Sequence, residues 1–196
     1  MSFSSEEIAT LIPALLLGVG LSAASGFRVF LPLLVGNLAG KFGVYELADN
    51  MVWMGDSTTT IVLAVAAVFE LAAYYIPVVD NLLDTIAMPV AIAAGTILTS
   101  SFLQIDDPML QWGLGLVAGG GVAGTIQAGT SLLRLGSTKF TGGLGNNLIA
   151  SVENGFSAVL AIVALMLPIF IGAIVLYFVI WIWRRLIKQR RQKVNV

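Results

Sequence analysis

The chain has 196 residues, of which 58% are hydrophobic and only 11% are charged, and its mean hydropathy is +0.94. A typical soluble domain carries about 25% charged residues, and a soluble fold of this length has too little interior to bury so much apolar surface. The formal net charge is −1, yet six of the ten basic residues lie between residues 184 and 193. We therefore predict an all-α, polytopic membrane protein with a basic C-terminus.

The chain contains neither cysteine nor histidine. Disulfide and thiolate chemistry are therefore excluded, and the commonest metal ligand and the usual proton carrier near neutral pH are missing. Any proton chemistry has to use carboxylates. The motifs of nucleophile elbows, phosphate loops and zinc hydrolases are absent as well. The sequence therefore predicts no enzyme, no metal site and no cofactor.

The first apolar run, residues 8–38, is longer than the roughly 20 residues that a helix needs to cross a bilayer. Its middle contains small residues, Arg28 and Pro32. Non-helical backbone at that depth is tolerated only inside protein or beside water. The run is therefore either a broken or re-entrant helical hairpin, or one long tilted helix whose Arg28 reaches the interface.

Four further spans are predicted, at residues 58–76, 85–103, 148–167 and 169–186, and a glycine-rich apolar segment covers residues 109–133. The fold class is therefore a helical bundle of about six segments. Loops or turns are expected at residues 40–57, 80–84 and 134–147. Asp106-Asp107-Pro108 is a sharp break, and either aspartate is suited to cap the helix that follows.

The distribution of charge orients the bundle. The last span ends in an aromatic belt followed by basic residues, which is typical of a cytoplasmic end. We expect residues 1–187 to form one transmembrane domain in the inner (plasma) membrane, and residues 188–196 to form a basic cytoplasmic tail that contacts anionic lipid. With six crossings, Arg134 and Lys139 also lie inside and Lys41 lies outside, as the positive-inside rule requires. The side of the N-terminus stays open, because the N-terminal segment has no Lys or Arg.

Two parts of the chain, residues 8–103 and 109–187, share one plan. Each begins with a glycine-rich apolar segment and continues through a Lys-Phe-Gly or Lys-Phe-Thr-Gly loop. A span with one glutamate, Glu70 or Glu153, follows, and another span closes the half. Three crossings per half would place the halves in opposite orientations. We therefore predict a 3+3 inverted repeat with broken or re-entrant glycine-rich helices.

Glu70 is the first candidate functional residue, because it lies among residues that suit lipid. A charge at the bilayer centre costs at least about 2.5–3.5 kcal/mol, so Glu70 should face the bundle interior and be protonated or paired. The expected partner is Arg28, the embedded base. The pair is either a static contact that fixes helix register, or a carboxylate that responds to protons or cations.

Four more polar residues are candidates. Asp80 and Asp84 lie one helical turn apart, where like charges repel. Their spacing suits a bound cation, protonation of one carboxyl group, or two solvated carboxylates in a turn. Glu153 is either embedded or at interface depth, and Gln127 either lines a polar cavity or hydrogen-bonds between helices.

Two motifs carry a family resemblance: Gly-Phe-Arg-x-Phe-Leu-Pro at residues 26–32, and Glu-Leu-Ala…Ile-Pro-x-x-Asp at residues 70–80. Over most of its length the chain resembles a family of small bacterial integral-membrane proteins known as a domain of unknown function. The resemblance implies a membrane fold and no agreed activity. It marks as positions of interest Arg28, Glu70, Asp80 and Asp84. At residues 74–75 this chain has Tyr-Tyr, where family members often carry a lysine or similar residue.

These features favour a small transporter or channel-like protein for an ion or small polar solute, gated by embedded carboxylates. The predicted pathway residues are Arg28, Glu70, Asp80, Asp84, Gln127 and Glu153. Arg28 equally suits a small anionic solute or a lipid headgroup. The alternative is a non-transporting scaffold that organises lipid or a partner complex. The bilayer is the expected partner, nucleic acid is not expected, and a homo-oligomer is one option for the oligomeric state.

Overall fold

The computed structural model describes residues 4–73, 76–142 and 145–194, apart from the side chains of residues 6, 77–82, 84 and 190–194. These residues form eight α-helices, a 3₁₀ helix and a π-helical turn, and no strand lies among them. The predicted all-α class is confirmed. The elements are α1 (Ser5–Ser25), α2 (Phe30–Lys41), the 3₁₀ helix (Asp49–Gly55), α3 (Ser57–Ala73), α4 (Pro77–Phe102), α5 (Pro108–Leu114), the π turn (Gly115–Gly120), α6 (Gly121–Thr141), α7 (Asn146–Met166) and α8 (Pro168–Val194).

Within the described ranges, five helical stretches are long and apolar enough to cross a membrane. They are Glu7–Ser25, Thr85–Phe102, Pro108–Thr141, Asn146–Met166 and Pro168–Gln189. The 3₁₀ helix and α3 would make a sixth span if taken together, although a bend of 56° separates them. A membrane bundle of about six segments is therefore confirmed by length and composition.

The first apolar run is a broken helix. α1 ends at Ser25 and α2 begins at Phe30, which excludes one long tilted helix. α2 turns back beside α1, because a Cβ built on Gly36 would lie 2.8 Å from Leu98 and 3.8 Å from Leu21. With 12 residues, α2 is about 18 Å long and cannot cross a hydrocarbon core of about 30 Å by itself. It is a short arm folded back into the bundle.

The second glycine-rich segment continues as one helix from Pro108 to Thr141, with the π turn inside it. Its glycines bring it against α4. A Cβ built on Gly119 would lie 2.2 Å from the carbonyl oxygen of Gly95. Only residues without a side chain let two helix backbones approach so closely, as small residues do between membrane helices. The glycines that face α4 therefore serve packing, whereas a Cβ built on Gly113, Gly121 or Gly129 would meet nothing within 4 Å.

The boundaries of two polar stretches differ from the sequence prediction. Residues 134–141 belong to α6, so the expected loop 134–147 is confined to the few residues between α6 and α7. α6 ends at Gly142, whose φ of +64° is the left-handed conformation that terminates helices. Residues 80–84 belong to the first turns of α4, which begins at Pro77. At the expected break, Asp107 caps α5 by accepting hydrogen bonds from two backbone amides.

α1 and α8 run in the same direction. A Cβ built on Gly172, near the start of α8, would lie 2.4 Å from the carbonyl oxygen of Leu16. Further along α8, the indole nitrogen of Trp183 donates to Thr125 at 3.1 Å, and Gly26, just after α1, packs on the same turn of α6. The start of α1 and the end of α8 therefore lie at opposite ends of the bundle.

The order of elements matches the plan of the predicted repeat. The Lys-Phe-Gly motif begins at Lys41, the last residue of α2, and the Lys-Phe-Thr-Gly motif ends α6. Among the described glycines, Gly43 and Gly142 are the two with positive φ, +67° and +64°. α3 and α7 then carry Glu70 and Glu153. Symmetry between the halves does not follow from this order, and the inverted repeat stays a prediction.

Candidate functional site

The bend between α1 and α2, residues 26–29, is held by acidic residues from two other helices. Glu70 comes from the C-terminal part of α3 and Glu153 from the N-terminal half of α7. Both residues are more than nine-tenths buried. α3 reaches the site with its C-terminal end and α7 with its N-terminal half. Glu70 and Glu153 therefore lie beside the same short bend.

Glu70 caps α2 from outside that helix. The backbone amides of Val29 and Phe30 donate to its Oε1 and Oε2 at 2.7 and 2.9 Å. The first amides of a helix have no partner within it and lie at the positive end of the helix dipole. The N-cap residue of α2 makes no side-chain cap of its own. Glu70 therefore supplies the missing acceptors and joins α3 to the bend.

Arg28 is 1% exposed and contacts α7. Its Nη1 lies 3.1 Å from Oε2 of Glu153. Nη2 donates to the carbonyl oxygen of Ala150 at 3.1 Å, and Nε donates to the side-chain oxygen of Asn154. A buried charge costs several kcal/mol unless it is paired and hydrogen-bonded. These contacts keep the guanidinium charged inside the bundle and join α7 to the bend.

The expected pair of Arg28 and Glu70 takes a different form. Within the described part of the chain, backbone amides donate hydrogen bonds to Glu70, and Glu153 is in ion-pair contact with Arg28. Arg28 attracts Glu70 through space. The physical reason is the bend itself. The amides at the start of α2 need hydrogen-bond acceptors, and the carboxylate of Glu70 supplies them.

A second buried guanidinium, Arg134 of α6, contacts the same carboxylate. Its Nη2 lies 2.5 Å from Oε2 of Glu153, and its Nε donates to Oε1 at 3.3 Å. A two-point contact between these planar groups fixes orientation as well as charge. Arg28, Arg134, Glu153 and Asn154 are called the ion cluster below. The ion cluster joins the bend, α6 and α7.

Sequence reasoning missed Arg134 and placed it in a cytoplasmic loop, because the polar, glycine-rich stretch after it is typical of a loop. The structure corrects this, since Arg134 is 3% exposed inside the bundle. One signal was present in the sequence. Gln127, Thr130 and Arg134 are spaced three and four residues apart, which places them on one helix face. All three are buried.

Gln127 lies about two turns before Arg134 along α6, and it is 5% exposed. Its Nε2 donates to Ser131 at 3.3 Å, and Thr130 donates to its backbone carbonyl oxygen at 3.0 Å. These hydrogen bonds are local to α6. The remaining predicted pathway residues, Asp80 and Asp84, lie in α4, but their side chains are outside the described part of the structure.

Buried hydroxyl groups continue from the bend into the bundle. The Ser22 hydroxyl lies 3.0 Å from that of Thr99 and donates to the carbonyl oxygen of Gly95 at 2.8 Å. Ser157 donates to the carbonyl oxygen of Ala24 at 3.0 Å. Buried polar groups without partners are expensive, and these satisfy each other and the backbone of α1 and α4.

Gln111 extends this line towards the opposite end of the bundle. It is 0% exposed, and its Nε2 donates to the carbonyl oxygens of Ser100 and Leu103 at 3.0 and 3.1 Å. Asn50 of the 3₁₀ helix donates to its Oε1 at 2.6 Å. The ion cluster, the buried hydroxyl groups and Gln111 are called the polar track below. The polar track runs along the interior from the bend to the far end.

A pocket of about 360 Å³ lies beside Glu70, between the bend, α3 and α4. Among the described side chains that line it, Glu70 is the one charged residue, and the others are apolar, with Val29, Phe30 and Ala66 among them. At its edge, Phe69 is 70% exposed, so the pocket opens on the outer surface of the bundle. A buried carboxylate on an apolar wall is thus accessible from outside.

The arrangement couples buried charges on three helices to the bend. Within the described residues, no group of three or more acidic side chains converges where a metal ion could be held. Both glutamates accept hydrogen bonds or ion pairs that depend on their negative charge. Protonation of either carboxylate would therefore weaken the hydrogen bonds or ion pairs that hold the bend in place.

The family assignment follows from a match over most of the chain. The chain belongs to the family described as Domain of unknown function (DUF4126), whose model matches residues 15–188. No curated protein and no solved structure matches the chain. The match confirms the resemblance to a family of unknown function, and the bend, both glutamates and both buried arginines lie inside the matched range.

Proposed function

We propose that this member of the DUF4126 family is a small integral-membrane transporter or channel-like protein for an ion or small polar solute, gated at the bend between α1 and α2. One observation supports this most. A single bend is held by two buried carboxylates from two different helices, Glu70 and Glu153. Buried ionisable groups in membrane segments are costly and usually mark solute paths or proton relays.

The polar track is the proposed pathway. It passes from the ion cluster through Ser22 and Thr99 to Gln111, along the interior of the bundle. Its groups are hydrogen-bonded in this conformation, and all are buried except Asn154, which is half-buried. A pathway closed in this way has to open by a conformational change, and the broken helix at the bend is the element that would move.

Gating would follow from charge. Protonation of Glu153 would weaken its contacts with two guanidinium groups, and protonation of Glu70 would weaken its interaction with the positive end of α2. Either change would free the bend and let α2 shift against α3. The same release would follow if a cation in the pathway competed for either carboxylate.

The test is ion flux through purified protein reconstituted into liposomes, measured as a function of pH with proton, sodium, potassium and chloride gradients. Wild type should show pH-dependent flux of at least one of these ions. Glu70→Gln and Glu153→Gln should abolish the pH dependence. Glu46→Gln, which neutralises an exposed loop carboxylate, is the matched control and should behave as wild type.

Two outcomes would contradict transport. One is an absence of flux from wild type with all four ions. The other is flux whose pH dependence is the same in wild type, Glu70→Gln and Glu153→Gln. Either result would leave the buried charges with a structural role.

The second candidate function is a non-enzymatic membrane scaffold that organises lipid or a partner complex. The close packing of the ion cluster favours it, because Arg28 and Glu153 have exposed side-chain fractions of only 1% and 6%. In this function the charges fix helix register, and a second copy of the chain is one partner to test. Both candidates share the inner-membrane location and the cytoplasmic C-terminus, which the exposed basic residues at the end of α8 support.

A further inference from the structure

We propose that the pocket beside Glu70 binds a small organic cation with a hydrophobic body, such as an alkylammonium or arylalkylammonium ion. The inference rests on the proposed function only in one respect, namely that the bound cation would also be the transported solute. Binding to the pocket requires no transport and is measured separately. The pocket's apolar lining, the carboxylate of Glu70 and the opening of the pocket carry the inference.

The lining selects an apolar body. The pocket has a volume of about 360 Å³, which lies within the range of roughly 300–1,000 Å³ typical of small-molecule sites. Phe30 from α2, Phe69 from α3 and Val90 from α4 present hydrocarbon from three sides. Among the described lining side chains, Glu70 is the one that offers oxygen ligands, and two oxygens are too few to replace the hydration shell of a bare inorganic ion.

Glu70 selects a positive charge. Its two carboxylate oxygens accept the amides of Val29 and Phe30, and the amide of Leu31 interacts with the group as well. Two carboxylate oxygens offer about four lone-pair sites, so the group can accept a further donor. The two amides also hold the carboxylate in a fixed orientation. Arg28 is not among the residues that line the pocket. An ammonium group would therefore meet a preoriented acceptor, and no cation among the described residues of the pocket wall.

The opening favours a free amine over a lipid headgroup. Phe69 and Ile86 at the edge are 70% and 48% exposed on a surface that suits lipid. Hydrophobic amines partition into bilayers and would reach this edge from the membrane. A phospholipid ammonium group carries a phosphate next to it, and that phosphate would be placed among apolar side chains at a large desolvation cost.

The test is isothermal titration calorimetry on the full chain in phosphatidylcholine nanodiscs, with empty nanodiscs as the blank. The probes are 2-phenylethylammonium, neutral 2-phenylethanol and anionic 3-phenylpropionate, which share one apolar body. The cation should bind at least about tenfold more tightly than either other probe, as expected when a charge-assisted hydrogen bond is gained. Equal binding of the neutral probe, or no binding of the cation, would overturn the inference.

Variants locate the site. Glu70→Gln should weaken binding of the cation by about 10- to 100-fold, the effect of losing a hydrogen bond to a charged group. Glu70→Gln also alters the cap of α2, so a second pair of variants leaves the carboxylate untouched. Ala66→Phe fills the pocket and should abolish binding, whereas Ala72→Phe, on the exposed face of the same helix, should retain it.

Binding to Ala66→Phe as tight as to Ala72→Phe would place the cation elsewhere and overturn the inference. Competition by phosphatidylethanolamine added to the nanodiscs would overturn it too, because a lipid headgroup would then be the occupant. Failure of the proposed function looks different. The cation would bind wild type and not Ala66→Phe, while no ion or amine flux would be detected in liposomes.

Discussion

Glu153 is contacted by two guanidinium groups, from Arg28 at the bend and from Arg134 on α6. The three charges come from parts of the chain that are far apart in sequence, and they are almost completely buried. Breaking a buried pair by removing one partner usually costs more than the pair contributes, because the remaining charge is left in a poor environment. The carboxylate of Glu153 is therefore the most sensitive single group in the ion cluster.

Glu153→Gln is expected to lower the free energy of unfolding by about 3–5 kcal/mol, the usual effect of removing one partner of a buried ion pair. Thermal unfolding in detergent, followed by circular dichroism, measures the change. Glu46→Gln removes an exposed carboxylate and should leave the unfolding temperature unchanged. Equal unfolding temperatures for the two variants would show that the ion cluster does not stabilise the fold.

Tyr45 supplies a pH-dependent contribution from a loop outside the spans. Its hydroxyl group donates to the carbonyl oxygen of Leu165 at 2.7 Å, and burial raises the pKa of Tyr45 above its ordinary value of 10.0. The unfolded chain therefore loses this proton at a lower pH than the folded protein does. Stability from Tyr45 is fully present below pH 10 and is lost as the pH rises from there through the higher pKa of the folded state.

Tyr45→Phe should reduce stability by about 0.5–1.5 kcal/mol at pH 8, the contribution of a neutral hydrogen bond. The difference between wild type and this variant should then shrink as the pH rises above about 10, because only wild type loses the contribution of Tyr45. Unfolding temperatures at half-unit intervals from pH 8 to pH 11 measure it. A difference that stays constant over this range would contradict the assignment.

At the scale of elements, the contact between α4 and the helix that runs from α5 through the π turn depends on missing side chains. The backbones meet at Gly95 and Gly119, where a Cβ on Gly119 would lie 2.2 Å from the opposite carbonyl oxygen. Gly121 belongs to the same helix but faces away, with nothing within 4 Å of a built Cβ. Gly119 and Gly121 therefore differ in packing, although both lie within one helix.

Gly119→Ala should destabilise the protein by about 1–3 kcal/mol or more, because the added methyl group forces two backbones apart. Gly121→Ala should be neutral or stabilising by up to about 1 kcal/mol, since alanine favours a helix more than glycine does. Thermal unfolding of both variants in the same detergent measures the contrast. The packing role of Gly119 would be rejected if both substitutions had the same effect.

At the scale of the whole molecule, the short arm α2 affects the sides of the bundle on which the two chain ends lie. α1 crosses the bundle, α2 turns back beside it, and α8 runs parallel to α1. The start of α1 and the basic end of α8 therefore face opposite sides of the membrane that the bundle would span. The number of Lys and Arg residues could not show this, because the N-terminal segment contains none.

The chain lacks cysteine, so single substitutions give clean labelling sites. Ser4→Cys and Lys188→Cys should react with a membrane-impermeant maleimide from opposite sides of sealed vesicles. Asp106→Cys, next to the start of α5, should react from the same side as Ser4→Cys, because α4 runs antiparallel to α1. Labelling of Ser4→Cys and Lys188→Cys from one side would contradict the parallel arrangement of α1 and α8.

Much of the site was recognisable before its geometry was known. Arg28, Glu70 and Glu153 were singled out because charged residues are rare in apolar segments, and all three meet at the bend. Their pairing was not predictable, since it depends on which helix ends come together. Arg134 was missed for a related reason, because local composition favoured a loop while burial against α7 maintained the helix.

The sequence by itself determined that this is a bundle of apolar helices long enough to span a membrane, because span length and apolar composition are local properties. The sequence left the first apolar run as either a broken helix or one long tilted helix, and the structure decided for the break between α1 and α2. The tertiary structure alone decided that Glu70 caps α2, that Glu153 lies between Arg28 and Arg134, and that an apolar pocket opens beside Glu70. These contacts join residues distant in the chain, and their partners are chosen by the helix packing that brings them together.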